Sequence, residues 1–264
     1  HFCPMRSFNH KIPAILLIIF IIYISFILLF LTFFHEATDN RENTTIISHI
    51  FAEKPLILKH NEHLIITVKT SYIYYTTRLK FILETWYRLA PAKIFFVSDR
   101  PDSDLHIDLH GHFLYTDCGS SHQRVHLVCK LYAELEVYFK ARADWSCHFD
   151  DDNYVNVPNL ETFLASRDPN LPLYFGKISV AKNISVVYRS EPISFEFGTG
   201  GAGFCLSRRV VEELHELTKK NISVLSISSD LGLTDDVSLG FIIGESPLLH
   251  PPSSLLQLTL SMFL

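Results

Sequence analysis

The stretch Trp145-Ser-Cys-His-Phe-Asp-Asp-Asp-Asn-Tyr-Val-Asn156 decides how this chain is read. Trp145, Cys147 and Phe149 alternate with Ser146 and His148, the period-two pattern of a strand. Three carboxylates, Asp150, Asp151 and Asp152, follow at what should be the strand's carboxyl end. In an open α/β sheet that edge is where ligands bind. Carboxylates packed together repel one another unless a cation sits among them. A hard divalent ion with oxygen ligands, Mg²⁺ or Mn²⁺, suits such a set. The bland alternative is a solvated acidic turn. The apolar strand leading in and a glycine-rich stretch downstream weigh against it. Asp150 reads as structural, and His148, inside the strand, as a core histidine.

Outward from this strand the chain alternates strand and helix. His63–Val68 (HLIITV) is a short apolar strand followed by polar Lys69-Thr70-Ser71. Arg78–Leu89 carries Leu79, Ile82, Leu83, Trp86 and Leu89 at helical spacing, which predicts one amphipathic helix. Lys93–Val97 reads as a buried strand and Phe113–Thr116 as another. His122–Lys140 predicts a long helix with Val125, Val128, Leu131, Leu135 and Tyr138 on one face. A further helix is expected over Val157–Ser166. Strands separated by helices of this length predict an α/β fold with a mixed, mostly parallel sheet covered on both faces.

Two more stretches carry candidate chemistry. Phe197-Gly-Thr-Gly-Gly-Ala-Gly-Phe-Cys-Leu-Ser-Arg208 places glycine at 198, 200, 201 and 203, where backbone must approach something closely or take positive φ. It is neither a dinucleotide fingerprint nor a P-loop. The alternative is a glycine-rich turn before a helix that Ser207 caps. Leu233-Thr-Asp-Asp-Val-Ser-Leu-Gly240 places Asp235 and Asp236 in the first turn of a helix behind Thr234. Carboxylates there are ordinary helix-dipole partners. A carboxylate at a pocket rim can also serve as a general base.

Ile12–Phe34 is an uncharged run of 23 residues, long enough to cross a hydrocarbon core and longer than a signal-peptide core. Arg6 and Lys11 precede it, and Glu36, Asp39 and Glu42 follow alongside Arg41. The positive-inside rule then predicts a type II membrane protein with a cytosolic tail (1–11), an anchor (12–34) and a lumenal remainder. Residues 35–61 read as a stem and 62–264 as one globular domain. The alternative for the run is a buried core helix. The apolar fraction of 48% is inflated by this segment, and a formal net charge of −5 with no basic cluster argues against nucleic acid. Cys118, Cys129, Cys147 and Cys205 would be lumenal and allow three pairings, with Cys3 on the reducing side. Sequons at Asn43, Asn183 and Asn221 are candidate glycosylation sites.

Taken in order, these stretches resemble the Fringe family of β-1,3-N-acetylglucosaminyltransferases. The matching residues are Val68-Lys-Thr-Ser71, Arg78-Leu with Glu84-Thr-Trp86, Cys118-Gly-Ser-Ser-His-Gln-Arg124, Cys147-His-Phe-Asp-Asp-Asp-Asn-Tyr-Val-Asn156, Gly198-Thr-Gly-Gly-Ala-Gly-Phe-Cys-Leu-Ser-Arg208 and Asp235-Asp236. They span roughly residues 63–243. The β-1,3-galactosyltransferases of core 1 O-glycans share the Asp triplet and Gly-Gly-Ala-Gly, but the cysteine placement is more like Fringe.

The resemblance implies a GT-A-like domain in the Golgi membrane. It would transfer GlcNAc from UDP-GlcNAc to O-linked fucose on EGF-like repeats of Notch-like receptors, with inversion. It further implies Asp152 as the Mn²⁺ ligand, Asp151 and Arg78 as donor contacts, Asp236 as catalytic base, and the pairings Cys118–Cys129 and Cys147–Cys205. The chain departs from the family after the second Asp pair. A Phe-His-x-His segment, whose second His completes the metal site, has no counterpart, and His250 before Pro251 and Pro252 is the nearest candidate. Three other readings therefore stand beside the first: a related galactosyl- or glucosyltransferase, an inactive membrane-anchored binding relative, and an incomplete chain.

Overall fold

In a computed structural model the described residues are 20–30, 62–102, 109, 111–178 and 183–246. The chain divides into two compact units, His1–His49 and Ile50–Leu264. In the first, residues 20–30 form a helix that turns Phe20, Ile22, Phe26 and Leu29 outward. Among the described residues no helix is long and apolar enough to cross a membrane. The rest of the 12–34 run, the 1–11 tail, the 35–61 stem, Asn43 and His250 lie outside the described residues.

The described residues of the second unit form eight strands: β1 (Leu64–Lys69), β2 (Ile94–Ser98), β3 (Phe113–Tyr115), β4 (Trp145–Asp150), β5 (Tyr174–Gly176), β6 (Ile184–Tyr188), β7 (Glu191–Phe195) and β8 (Phe204–Ser207). Six form one sheet in the order β3-β2-β1-β4-β8-β5, while β6 and β7 pair as a separate hairpin. The first four sheet strands run parallel; β8 is antiparallel to both β4 and β5. The sheet is mixed and mostly parallel, as the alternation of strands and helices predicts.

Strand parity decides what each face meets. Leu64, Ile66 and Val68 of β1 share a face with Trp145, Cys147 and Phe149 of β4, and pack with Leu79, Ile82, Trp86, Leu160 and Leu164. On the other face Ile65, Phe95 and Val97 pack under α2 (Arg124–Ala141), through Val128, Leu131, Leu135 and Tyr138. That second face also receives Thr67, Lys69, Ser146, His148 and Asp150, so polar groups gather beneath one helix. Val125, expected on the buried stripe, is 55% exposed; it lies in the first turn of α2, which begins only at Arg124.

The single helix expected over Arg78–Leu89 is broken in three. A π-turn (Tyr75–Leu79) leads into α1 (Lys80–Glu84), and a 3₁₀ turn (Trp86–Leu89) follows. Thr85, at φ −118° and ψ −107°, makes the break, its hydroxyl donating to the Phe81 carbonyl in competition with the helix ladder. Trp86 is thereby turned inward, where its indole N–H donates to the Asn153 carbonyl at 3.2 Å, and Leu89 is left outside. The glycine-rich stretch contains β8, which sequence patterning misses because all four of its residues are buried and show no alternation.

Cys147 and Cys205 face each other across the β4–β8 pair and are disulfide-bonded, as are Cys118 and Cys129. A closed loop of 58 residues makes the first bond worth about 4 kcal/mol in the chain-entropy account. At the junction into β8, Gly203 takes φ +72°, and a Cβ there would lie 2.3 Å from the buried Phe149 ring. Gly203→Ala should therefore destabilise the domain by about 2 kcal/mol or more, from strained backbone plus overpacking. The denaturant midpoint of purified protein checks this; an unchanged midpoint would show that Phe149 has room to yield.

Candidate active site

In this sheet β1 leads through α1 to β2 on one side, whereas α2 returns the chain to β4 on the other. The strand order therefore reverses between β1 and β4, and a crevice opens at their carboxyl ends. A cleft open to solvent lies there. Its walls bring together Lys69, Arg78, Asp150, Asp151, Asp152, Gly200, Asp235 and Asp236. The Asp strand, the glycine-rich stretch and the second Asp pair thus share one pocket.

Lys69 and Asp150 are register partners at the ends of β1 and β4, with Nζ 3.3 Å from Oδ1. The same ammonium donates to Asp235 Oδ2 at 2.7 Å. Burial opposes its charge, but Asp235, Asp150 and Glu134 outweigh that and hold its pKa well above the lysine value. Burial likewise works against the carboxylates of Asp150 and Asp235, and Lys69 reverses the effect, holding both below the usual range.

Asp151 differs. It is 5% exposed; Thr70 donates to Oδ2 at 2.8 Å and Arg78 to Oδ1 at 2.9 Å. Burial still raises its pKa, with these partners compensating only in part. Arg78 also stands 3.3 Å from Asp152 Oδ2 and 4.2 Å from the centre of the Tyr74 ring. Asp152, half-exposed, is the carboxylate of the triplet most open to the cleft.

After α3 (Val157–Ala165), α4 (Arg208–Lys219) and α5 (Val224–Leu231), Asp236 sits in the first turn of α6 (Asp235–Glu245). Three donors orient its carboxylate: the Gly200 amide to Oδ2 at 3.0 Å, and the Thr234 hydroxyl and Val237 amide to Oδ1 at 2.9 Å. Thr234, expected as an ordinary cap, gives its hydroxyl to this side chain and makes no side-chain cap bond to the helix. Gly200 lies between His148 and Asp236, since a Cβ on it would meet the His148 ring at 3.6 Å and Asp236 at 3.7 Å.

His148 is buried, as a core histidine should be, but it carries charge. Its Nδ1 stands 2.8 Å from Glu134 Oε2, and its Nε2 is 3.5 Å from Asp150 Oδ1, too long for a good hydrogen bond. Burial depresses the imidazole pKa, yet the Glu134 carboxylate outweighs it and lifts the value to about 9. Lys130 is a second buried ammonium, donating to Asp99 at 2.7 Å and to the Thr70 carbonyl at 2.9 Å.

Sequence reasoning missed Glu134, Lys130, Asp99 and the weight of Lys69. The signal was faint: Lys130 and Glu134 stand four apart on α2, beside its apolar stripe, where solvent-facing charge is the default reading. The candidate sequons at Asn183 and Asn221 are both exposed. Among the described residues no group of three or more His, Cys, Asp or Glu side chains is arranged to hold a metal ion.

An open α/β sheet with a charged cleft at its switch point defines a ligand-binding α/β domain of the doubly wound kind. The particular family is given by sequence: residues 59–258 match the family described as Fringe-like, and the chain belongs to it. "Fringe glycosyltransferase" of Drosophila melanogaster is 38% identical over 188 residues, covering 69% of this chain and 45% of that protein. "Beta-1,3-N-acetylglucosaminyltransferase radical fringe" of Gallus gallus is 33% identical over 196 residues, covering 71% and 52%. "Beta-1,3-N-acetylglucosaminyltransferase manic fringe" of Homo sapiens is 32% identical over 209 residues, covering 73% and 64%. The chain spans about half the length of the curated relatives it matches. Among solved structures, the glycosyltransferase GlyE of Streptococcus pneumoniae TIGR4 superposes with a TM-score of 0.37 at 13% identity over 68% of this chain and 43% of that one, too loose to bear on the fold.

The raised His148 pKa has a consequence for stability. A group whose pKa rises on folding stabilises the fold fully below its unfolded value and loses that contribution as pH climbs through the folded one. The stability advantage of wild type over Glu134→Gln should therefore be largest near pH 6 and shrink toward pH 9. Denaturant melts of both proteins across that range check it; an advantage that grew with pH would contradict the charged pair.

Proposed function

We propose that this chain is an inverting glycosyltransferase with a GT-A-like domain, adding GlcNAc in β-1,3 linkage from UDP-GlcNAc to O-linked fucose on EGF-like repeats of Notch-like receptors. The activity for which its relatives are named and the shared cleft both support this. The observation that carries it is that Asp152 and Asp236, 84 positions apart, line one cleft at the sheet's switch point. On charge asymmetry and apolar length we take residues 12–34 as a membrane anchor with the α/β domain on the lumenal side, and on the resemblance to Fringe we assign that membrane to the Golgi.

The residues divide the work as follows. Asp236, fixed by the Gly200 amide, accepts the proton of the fucose hydroxyl as its oxygen attacks the anomeric carbon. The bond from that carbon to the UDP oxygen breaks on the opposite side, and the electron pair leaves with UDP. Arg78 holds Asp151 and Asp152 together and presents positive charge on the donor side of the cleft.

The three carboxylates of the triplet differ in what they can offer a divalent ion. Asp150 is engaged by Lys69, and both Asp151 oxygens are taken by Thr70 and Arg78. Asp152 is engaged more loosely, with Arg78 3.3 Å from Oδ2 and the Asn153 side-chain amide donating to Oδ1 at 3.3 Å, and it is half-exposed. It is the one carboxylate of the triplet suited to Mn²⁺ or Mg²⁺, whose coordination diphosphate oxygens and water would complete, since such ions are commonly held by one or two carboxylates plus phosphates. Bound there, the ion would stabilise the charge developing on departing UDP.

UDP release from UDP-GlcNAc should require both Mn²⁺ and an O-fucosylated EGF repeat. Asp236→Ala and Asp152→Ala should each lower kcat by at least about 100-fold. Folded wild type that binds the donor without turnover would instead identify a binding relative. Faster turnover with UDP-galactose or UDP-glucose would reassign the sugar.

A further inference from the structure

Lys69 has no part in the transfer itself, yet its ammonium ties together elements that line the cleft. It closes β1 and is 9% exposed, and its ammonium meets Asp235 at 2.7 Å and Asp150 at 3.3 Å. Three segments remote in sequence therefore converge on one charge: the end of β1, the end of β4 and the first turn of α6. Asp235 directly precedes Asp236, and both sit on the same helical turn. The bonds on the Asp236 side chain come from Gly200, Thr234 and Val237, none of which belongs to β1 or β4.

Within the glycosyltransferase reading, on which this inference rests, the geometry points to Lys69 as a positioning residue that, through Asp235, sets where α6 holds the Asp236 carboxylate relative to the Asp152 end of β4. Local charge argues against the obvious alternative, a lysine that grips the donor's phosphates. Two carboxylates already neutralise this ammonium, so the spot carries no surplus positive charge for an anion. Arg78, 37% exposed at the cleft, is better placed for that work. A displacement of about 1 Å at a reacting group can cost about 100-fold in rate, which is the scale on which such a tether matters.

The test uses the full chain with UDP-GlcNAc, an O-fucosylated EGF repeat and Mn²⁺. Lys69→Met and Asp235→Asn should each lower kcat on the order of 100-fold with little change in donor KM. The double variant should lose no more than the worse single one, because both break the same link. A large rise in donor KM, or losses that multiply in the double variant, would overturn the proposal. Should Lys69→Met fail to fold, Asp235→Asn, which leaves the ammonium paired with Asp150, decides alone: wild-type kcat in that variant overturns the proposal.

If wild type itself releases no UDP, the glycosyltransferase reading falls separately. The tether is then judged by hydrogen exchange of the Ser238 amide, which donates to the Thr234 carbonyl at 2.8 Å in the first turn of α6. Faster exchange in Asp235→Asn than in wild type supports the tether, and equal exchange overturns it.

Discussion

An ammonium buried between two carboxylates is the constraint on which the cleft depends. Neither partner could be buried alone, because an uncompensated charge costs several kcal/mol after relaxation. Lys69, Asp150 and Asp235 are therefore obliged to arrive together, and each brings a different element with it. The parity of the strands makes the meeting possible. Odd-numbered residues of β1 and even-numbered residues of β4 point to the same side of the sheet, where α2 adds Glu134 and Lys130. The opposite face, with Trp145, Phe149, Ile66 and Val68, packs against Ile82 of α1 and Leu160 and Leu164 of α3. One face supplies cohesion and the other chemistry.

The Fringe-like family assignment sits comfortably on this arrangement. The strands that carry the Asp triplet and the glycine-rich stretch are adjacent and joined by Cys147–Cys205. The bond lies within the buried core, so the two motifs are held in register without using any cleft-facing side chain.

How much of this was legible in the sequence varies with the physics involved. The parallel strands declared themselves by apolar runs, and β4 was read to its last residue because an aromatic–small alternation ends abruptly in carboxylates. The sharing of one cleft by Asp152, Gly200 and Asp236 followed from resemblance; spacing along the chain could not have shown it. Three things stayed hidden. Thr85 breaks a helix whose apolar spacing is intact, since a hydroxyl competing for a carbonyl leaves no periodic trace. Strand β8 is buried on both faces, so it has no period. The charges of Glu134 and Lys130 look like solvated residues of a helix until a sheet brings His148 and Asp99 against them.

The placement of β8 also bears on how the domain is made. Chain growth delivers β1, β2, β3 and β4 first, and these suffice for the parallel part of the sheet. The partner that closes the free edge of β4 comes 58 residues after Cys147. Until then a nascent domain exposes an unpaired strand edge that includes an unreacted thiol, the kind of surface that invites pairing with another chain. Oxidation too early would offer Cys147 wrong partners within the domain, Cys118 and Cys129, both already synthesised. The order of thiol pairing, and not only its final pattern, is thus written into the topology.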